Sequence, residues 1–169
     1  MKKDVSISNS FRARADSAAF WEAWVGAQLS RKGLRTVHLP FTLTSETGNP
    51  ASYYANTWDL EVGRHGFTVE VKSSNLSFTL PNDYPHMGVL VCSESSYMKK
   101  WGPVTENHRD FLFVSRTTGG VIWLPIGAPV TVREVTDMKR AETYACVASG
   151  KQYLRSLDEY VAYIKEMER

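Results

Sequence analysis

Apolar and polar residues alternate most cleanly over Trp58–Lys72. Trp58, Leu60 and Val62 fall on one side of a first strand, and Phe67, Val69 and Val71 on one side of a second. A period of two residues is the mark of half-buried strands. The opposite side carries Thr57, Asp59 and Glu61, then Thr68, Glu70 and Lys72. Gly63-Arg64-His65-Gly66 supplies a turn between them, so the segment predicts a β-hairpin.

Other segments follow different periods. From Asp16 the pattern becomes helical, with Asp16 or Ser17 as cap. Phe20, Trp24 and Leu29, with Trp21, Val25 and Gln28 beside them, form a broad stripe, and Gly33 is a fitting stop. Leu34–Thr44 reads as extended, broken by Pro40, and Gly48-Asn49-Pro50 reads as a turn. After the hairpin, an extended stretch is expected to run to Leu80 and end at Pro81. Gly88–Ser93 is a short buried strand, and Ser95–Trp101 a short helix or loop. Asp110–Ser115 and Val121–Pro125 flank Thr117-Thr118-Gly119-Gly120, a second hairpin signal. Val130–Val135 alternates like an edge strand or a loop. Ser156 caps a final helix, Leu157–Met167, with Leu157, Val161 and Ile164 or Tyr160 on one side. This order predicts an α/β (α+β) fold with a mixed central β-sheet flanked by helices. Residues 1–15 read as a flexible basic arm, and 16–169 as one domain.

The length of 169 residues suits one domain with a real core. With 43% hydrophobic and 22% charged residues, the composition is that of an ordinary globular protein. A net charge of +2 does not by itself call for nucleic acid. Lys2-Lys3, Arg12 and Arg14, Arg31-Lys32, Lys99-Lys100 and Lys139-Arg140 could line a phosphate-binding surface, or be solvated surface charge. Cys92 and Cys146 are too few for a disulfide scaffold, and Cys92 lies in an apolar run as a buried thiol. His38, His65, His86 and His108 are scattered without zinc spacing. No apolar leader or membrane-spanning run is evident, so an intracellular, cytoplasmic protein with no membrane partner is expected.

The hairpin carries the chemistry. Pairing Val62 with Phe67 sets Asp59 opposite Glu70 and Thr57 opposite Lys72. Cross-strand Cβ atoms lie about 4.5–5.5 Å apart, so the two carboxylates repel unless a cation sits between them. Mg²⁺ suits such a site, since it takes a few carboxylates together with waters and phosphate oxygens. Lys72, on the same face, is placed to hold or deprotonate a water or to stabilise developing charge. The set points to metal-assisted phosphodiester hydrolysis. The plainer reading is a hairpin face charged for solubility alone.

Asp59, followed by Glu70-Val71-Lys72 on the next strand, resembles the signature of the PD-(D/E)XK nuclease superfamily. That group includes restriction endonucleases, archaeal-type Holliday junction resolvases and phage exonucleases. Where the family has a proline before the aspartate, this chain has Trp58. The resemblance covers about residues 17–125 and implies a restriction-endonuclease-like core in the order α-β-β-β-α-β. It also implies Mg²⁺, with Mn²⁺ able to substitute, held by Asp59 and Glu70 with the Val71 carbonyl, and Lys72 assisting the attacking water. Glu22 lies on the first helix, where many junction resolvases place a glutamate that joins the metal site; the alternative is an exposed helix glutamate. Glu61 is a neighbouring or solvent residue, and Ser73 either touches phosphate or ends the strand.

Tyr53, Tyr54, Tyr84, Tyr97 and Trp101 either stack on unpaired bases or anchor the core. The expected function is a Mg²⁺-dependent DNA nuclease, an endonuclease or junction resolvase, acting as a homodimer. The alternatives are a catalytically inactive nuclease-fold module that binds nucleic acid or a protein, and a small interaction protein with no nucleic-acid role.

Overall fold

The first helix, α1 (Asn9–Arg31), begins earlier than the sequence pattern suggests. Arg12, Ala13, Arg14 and Ala15 are all good helix formers, so polar composition alone does not stop the helix at Asp16. Asp16 and Ser17 therefore lie inside α1 and are not its caps, and residues 9–15, assigned to the arm from the sequence, belong to this helix. At the other end Gly33 takes φ +86° and the Leu34 N–H closes onto the Leu29 carbonyl at 3.1 Å. That left-handed stop is the role expected of this glycine. The computed structural model describes residues 9–39, 59–139 and 141–169, with side chains from residue 16 onward. The Gly48-Asn49-Pro50 turn, Tyr53, Tyr54, Thr57, Trp58 and Arg140 lie outside the described residues.

The strands β1 (Thr36–His38), β2 (Leu60–Val62) and β3 (Phe67–Ser74) form an antiparallel meander. Val62 pairs with Phe67, Glu61 with Thr68 and Leu60 with Val69, the register read from the alternation. Gly63 and Gly66 take φ +78° and +67°, which the turn between β2 and β3 requires. β3 stops at Ser74 rather than running on to Leu80, and Pro81–Asp83 forms a single 3₁₀ turn.

The chain then makes β4 (Gly88–Ser93) and α2 (Glu94–Trp101), with the Ser93 hydroxyl capping the helix by accepting from Ser96 N–H at 3.3 Å. Next come β5 (Asp110–Ser115) and β6 (Val121–Leu124), which form the second hairpin as expected. β7 (Thr131–Asp137) and β8 (Glu142–Gly150) make a third. The chain ends with β9 (Arg155–Ser156) and α3 (Leu157–Met167). Ser156 and Glu159 form a capping box on α3.

The main sheet has the order β1-β2-β3-β5-β6-β9. β3 and β5 run parallel and the other neighbours antiparallel, so the sheet is mixed. The crossover from β3 to β5 carries β4 and α2. β4, β8 and β7 form a separate antiparallel sheet. The fold is thus α+β with a mixed central sheet.

Each face of the main sheet has its own core. On one face Leu60, Val62, Val69, Val71, Leu112 and Val114 pack with Val25 and Leu29 of α1 and Tyr160 and Ile164 of α3. On the other, Phe111, Phe113, Ile122 and Leu124 pack with Val89, Val91 and Val147 of the small sheet and Tyr97 of α2. β5 and β6 are buried at every residue, which is why they read as unbroken apolar runs. The same layering decides the environment of β3. Its polar side, with Glu70, faces away from α1's core and toward α2, so it is not an open solvent face. Among the described residues no helix is long and apolar enough to cross a membrane.

Candidate active site

Asp59 stands immediately before β2, and its N–H donates to the Val69 carbonyl at 3.0 Å. The regular pairing ends at Leu60–Val69, and because Asp59 also bonds to Val69 the ladder slips there by one residue. Asp59 is not paired squarely with Glu70 as the alternation implied, although both side chains line one cavity. The Asp59 carboxylate turns onto β3, where Oδ2 accepts the Val71 N–H at 2.7 Å. In a strand the N–H and C=O of one residue lie on the same edge, so the Val71 carbonyl also points along this edge.

Glu70 is only 2% exposed. Its Oε1 accepts from Lys72 Nζ at 2.6 Å and from Lys100 Nζ at 3.1 Å. Its Oε2 is buried with no hydrogen-bond partner among the described residues. A bare buried carboxylate oxygen is costly unless something unseen completes it. This burial rules out the reading of Glu70 as a solubility charge.

Glu22 is also buried, on α1, and its Oε2 lies 2.8 Å from His38 Nε2. It is therefore not an exposed helix glutamate. Glu22, Asp59, Glu70, Lys72 and Ser73 line one cavity of about 220 Å³. The structure brings together every residue that the sequence pattern nominated for catalysis or metal binding. Glu22 differs from the others in its role: among the described residues no three His, Cys, Asp or Glu groups stand close enough to hold one ion. Its carboxylate is engaged by His38, so it biases the cavity's charge rather than completing a ligand set.

The electrostatics follow from this crowding. Burial first, then the Glu70 and Glu22 carboxylates, raise the Asp59 pKa to about 7, although the Val71 N–H and Lys72 oppose the rise. Burial also pushes Glu70 upward, but the Lys72 and Lys100 ammoniums outweigh it and hold Glu70 below the ordinary carboxylate range. Burial would pull the Lys72 ammonium down, but Glu70 and Asp59 outweigh it and hold Lys72 above its ordinary value. Lys72 thus stays charged and serves as a donor, not as a proton acceptor. Among the described residues three carboxylates and one ammonium, that of Lys72, line the cavity, and Lys100 meets Glu70 from outside it, so carboxylates outnumber ammoniums once Asp59 ionises.

These features fit a divalent ion. Asp59 Oδ atoms, the bare Glu70 Oε2 and the Val71 carbonyl are hard oxygen donors, and Mg²⁺ uses one or two carboxylates and completes its shell with water and phosphate oxygens.

Two contributors escaped the sequence reading. Lys100 appears there only as half of a basic pair, and His38 as a scattered histidine. Each reaches the site by tertiary placement, Lys100 from α2 and His38 from β1, and no local pattern signals that. Some sequence candidates belong elsewhere. Tyr97 is wholly buried, donates to the Glu106 carbonyl at 2.7 Å and accepts the His108 N–H at 2.9 Å, so it anchors α2 rather than stacking on a base. Trp101 packs edge-on against Phe111 in the second core. Cys92 is half-buried rather than buried, and desolvation first pushes its thiol up to about 11, leaving it unreactive at neutral pH. Comparison of the chain with protein-family models, with curated proteins and with solved structures returned no match.

Proposed function

We propose that this protein is a Mg²⁺-dependent nuclease of the PD-(D/E)XK type that hydrolyses DNA phosphodiester bonds. The observation that carries the proposal is the buried Glu70 carboxylate, with one oxygen held by two lysines and the other without a partner among the described residues, in a cavity that Asp59 also lines. The element order supports it. Leaving out β4, which joins the small sheet, the elements α1, β1, β2, β3, α2 and β5 follow the α-β-β-β-α-β order of the superfamily.

In this reading Asp59, Glu70 and the Val71 carbonyl would hold the ion. A divalent ion there supplies Lewis-acid polarisation of a phosphoryl oxygen and lowers the pKa of an attacking water. Lys72, kept as an ammonium by Glu70, would orient that water and offset the negative charge that builds on the phosphoryl oxygens. Lys100 fixes the Glu70 rotamer through the shared Oε1. Glu22 adds negative charge that favours cation binding, and His38 holds its carboxylate at 2.8 Å on the wall of the cavity. A chain of this size grips one strand per active site, and a homodimer would cut two strands symmetrically.

One observation favours a second reading. Two ammoniums on Glu70 offset its charge without any ion, as suits a module of nuclease-like fold that binds DNA and does not cut it. The two readings separate in one experiment. Supercoiled, linear, single-stranded and four-way-junction DNA are incubated with wild type and Lys72→Ala, in Mg²⁺, in Mn²⁺ and in EDTA. Metal-dependent cutting that Lys72→Ala loses supports the nuclease. Binding without cutting under every condition supports the module and ends the nuclease reading.

A further inference from the structure

A second and larger cavity, of about 610 Å³, adjoins the first: Lys72 and Ser73 line both. Its volume falls within the roughly 300–1,000 Å³ of sites that enclose small organic groups. It lies between the end of β3 and the small sheet. Its walls combine aromatic rings with cations. Tyr84 and Phe113 are its buried aromatic residues, and Lys72 and the exposed Arg133 supply positive charge. Among the described residues no carboxylate lines it; Lys72 is paired with Glu70, but Arg133 leaves the balance of the lining positive, which favours an anionic ligand, unlike the neighbouring cavity.

One wall also offers hydrogen bonds. Among the described residues β4 pairs only with β8. The Lys151 N–H bonds to the Met87 carbonyl at 2.9 Å, in line with the Gly88–Gly150 register. Bonded and non-bonded pairs alternate along an antiparallel ladder, so Val89 also faces β8, and the N–H and C=O of Gly88 and Leu90 face the open edge. Both residues line the cavity. A ligand that matches this wall is flat and aromatic, carries donors and acceptors on its rim, and is tethered to negative charge. A nucleobase on its phosphate-linked chain has those properties. A paired base does not fit between two sheets without leaving its stack.

We infer that this cavity receives an unpaired nucleobase of a DNA strand, next to the phosphate that an ion at Asp59 and Glu70 would hold. The placement of that phosphate rests on the nuclease reading; the base site does not. The enzyme's substrates are then single strands, or duplexes with an unpaired nucleotide beside the cut.

The test is binding in EDTA, where no hydrolysis intervenes. A short single-stranded oligonucleotide carrying a central 2-aminopurine, and the same oligonucleotide in a duplex, are titrated with wild type, Leu90→Trp and Arg133→Ala. Leu90 is 46% exposed and Arg133 is exposed, so both variants keep their cores. Leu90→Trp fills the cavity, and Arg133→Ala removes a cation from its rim. Wild type is expected to bind the single strand about tenfold more tightly than the duplex, and each variant to lose about tenfold for the single strand, the scale of one base–aromatic contact. Equal wild-type affinity for the two forms overturns the inference, as does single-strand binding by both variants at the wild-type level. The two readings fail separately. If wild type cleaves with Mg²⁺ but Leu90→Trp binds and cuts single strands normally, the base site falls and the nuclease stands. If Leu90→Trp loses binding while wild type cuts nothing, the nuclease falls and the base site stands.

Discussion

Lys100 Nζ lies 3.1 Å from the same Glu70 Oε1 that Lys72 Nζ approaches at 2.6 Å, although one lysine comes from α2 and the other from β3. The Lys100 ammonium also sits 5.2 Å from the Trp101 ring centroid, which fixes its direction. The consequence is an asymmetric carboxylate, with one oxygen holding two ammoniums and the other without a partner among the described residues. Lys100→Met removes one of the two cations while preserving most of the side-chain volume. It is expected to destabilise the protein by about 1–3 kcal/mol at neutral pH, the scale for a buried charged group losing a partner. Glu70 is held below its unfolded pKa, so it contributes stability above that value and loses it as pH falls through the folded one. The Lys100→Met deficit therefore shrinks on acidification. Urea titrations of both proteins at neutral and acidic pH check this.

Lys72 and Lys100 differ in what they can reach. Lys72 and Ser73 line the cavity between the carboxylates, whereas Lys100 does not. Lys72→Ala is expected to lower kcat by about 10²–10³-fold, the range for loss of one donor aimed at developing negative charge. Its effect on DNA affinity in EDTA should be small. Lys72→Arg keeps the charge but not the compact donor, so it should recover only part of the rate. Single-turnover cleavage, with binding measured separately, distinguishes these effects.

Asp59 sets a pH dependence of the opposite sign to Glu70. Its folded pKa is raised to about 7 from an unfolded value of 3.8, so between these values the native state binds the extra proton. Stability contributed by this group is complete below the unfolded pKa and is lost as pH rises through the folded one. In EDTA, the wild-type Tm is expected to fall on going from about pH 5 to about pH 8, and Asp59→Asn to show a smaller fall. Glu22→Gln removes one of the charges that raise Asp59, so the wild-type decline should move to lower pH. Thermal melts across that range report all three curves.

The capping box at α3 is remote from this chemistry. Ser156 Oγ accepts the Glu159 N–H at 3.2 Å, and Glu159 Oε2 accepts the Ser156 N–H at 2.7 Å. Ser156→Ala is expected to cost about 1 kcal/mol of stability. Cleavage should be unchanged below the melting range. Calorimetry and a cleavage assay on the same sample make this a control for the site variants.

The legible parts of the molecule are those whose signals are local. Strand alternation with a glycine at each end of the turn was enough to register Val62 on Phe67, but not to foresee the slip at Asp59, whose N–H bonds to Val69. The α3 cap and the β5–β6 hairpin were readable for the same reason. β8 was missed because Ala145, Ala148, Ser149 and Gly150 have weak strand preference and form a strand only through pairing on both sides. The environment of Glu70 was harder still. Alternation separates the two faces of a strand but does not say whether solvent or another layer covers the polar one. Here β3 lies between β2 and β5, and α2 brings Lys100 to that face. The same non-local packing turned Tyr97 from a candidate base platform into a core anchor.

The central claim is that Asp59 and Glu70 hold a divalent ion that hydrolyses phosphodiesters. The most direct measurement is the rate at which supercoiled plasmid is nicked as Mg²⁺ is titrated, by wild type and by Asp59→Asn. On that claim, the wild-type rate is expected to rise to saturation with Mg²⁺, to vanish in EDTA, and to be lost in Asp59→Asn. Wild-type protein that leaves the plasmid intact at every Mg²⁺ concentration, or an Asp59→Asn variant that nicks it at the wild-type rate, would contradict it.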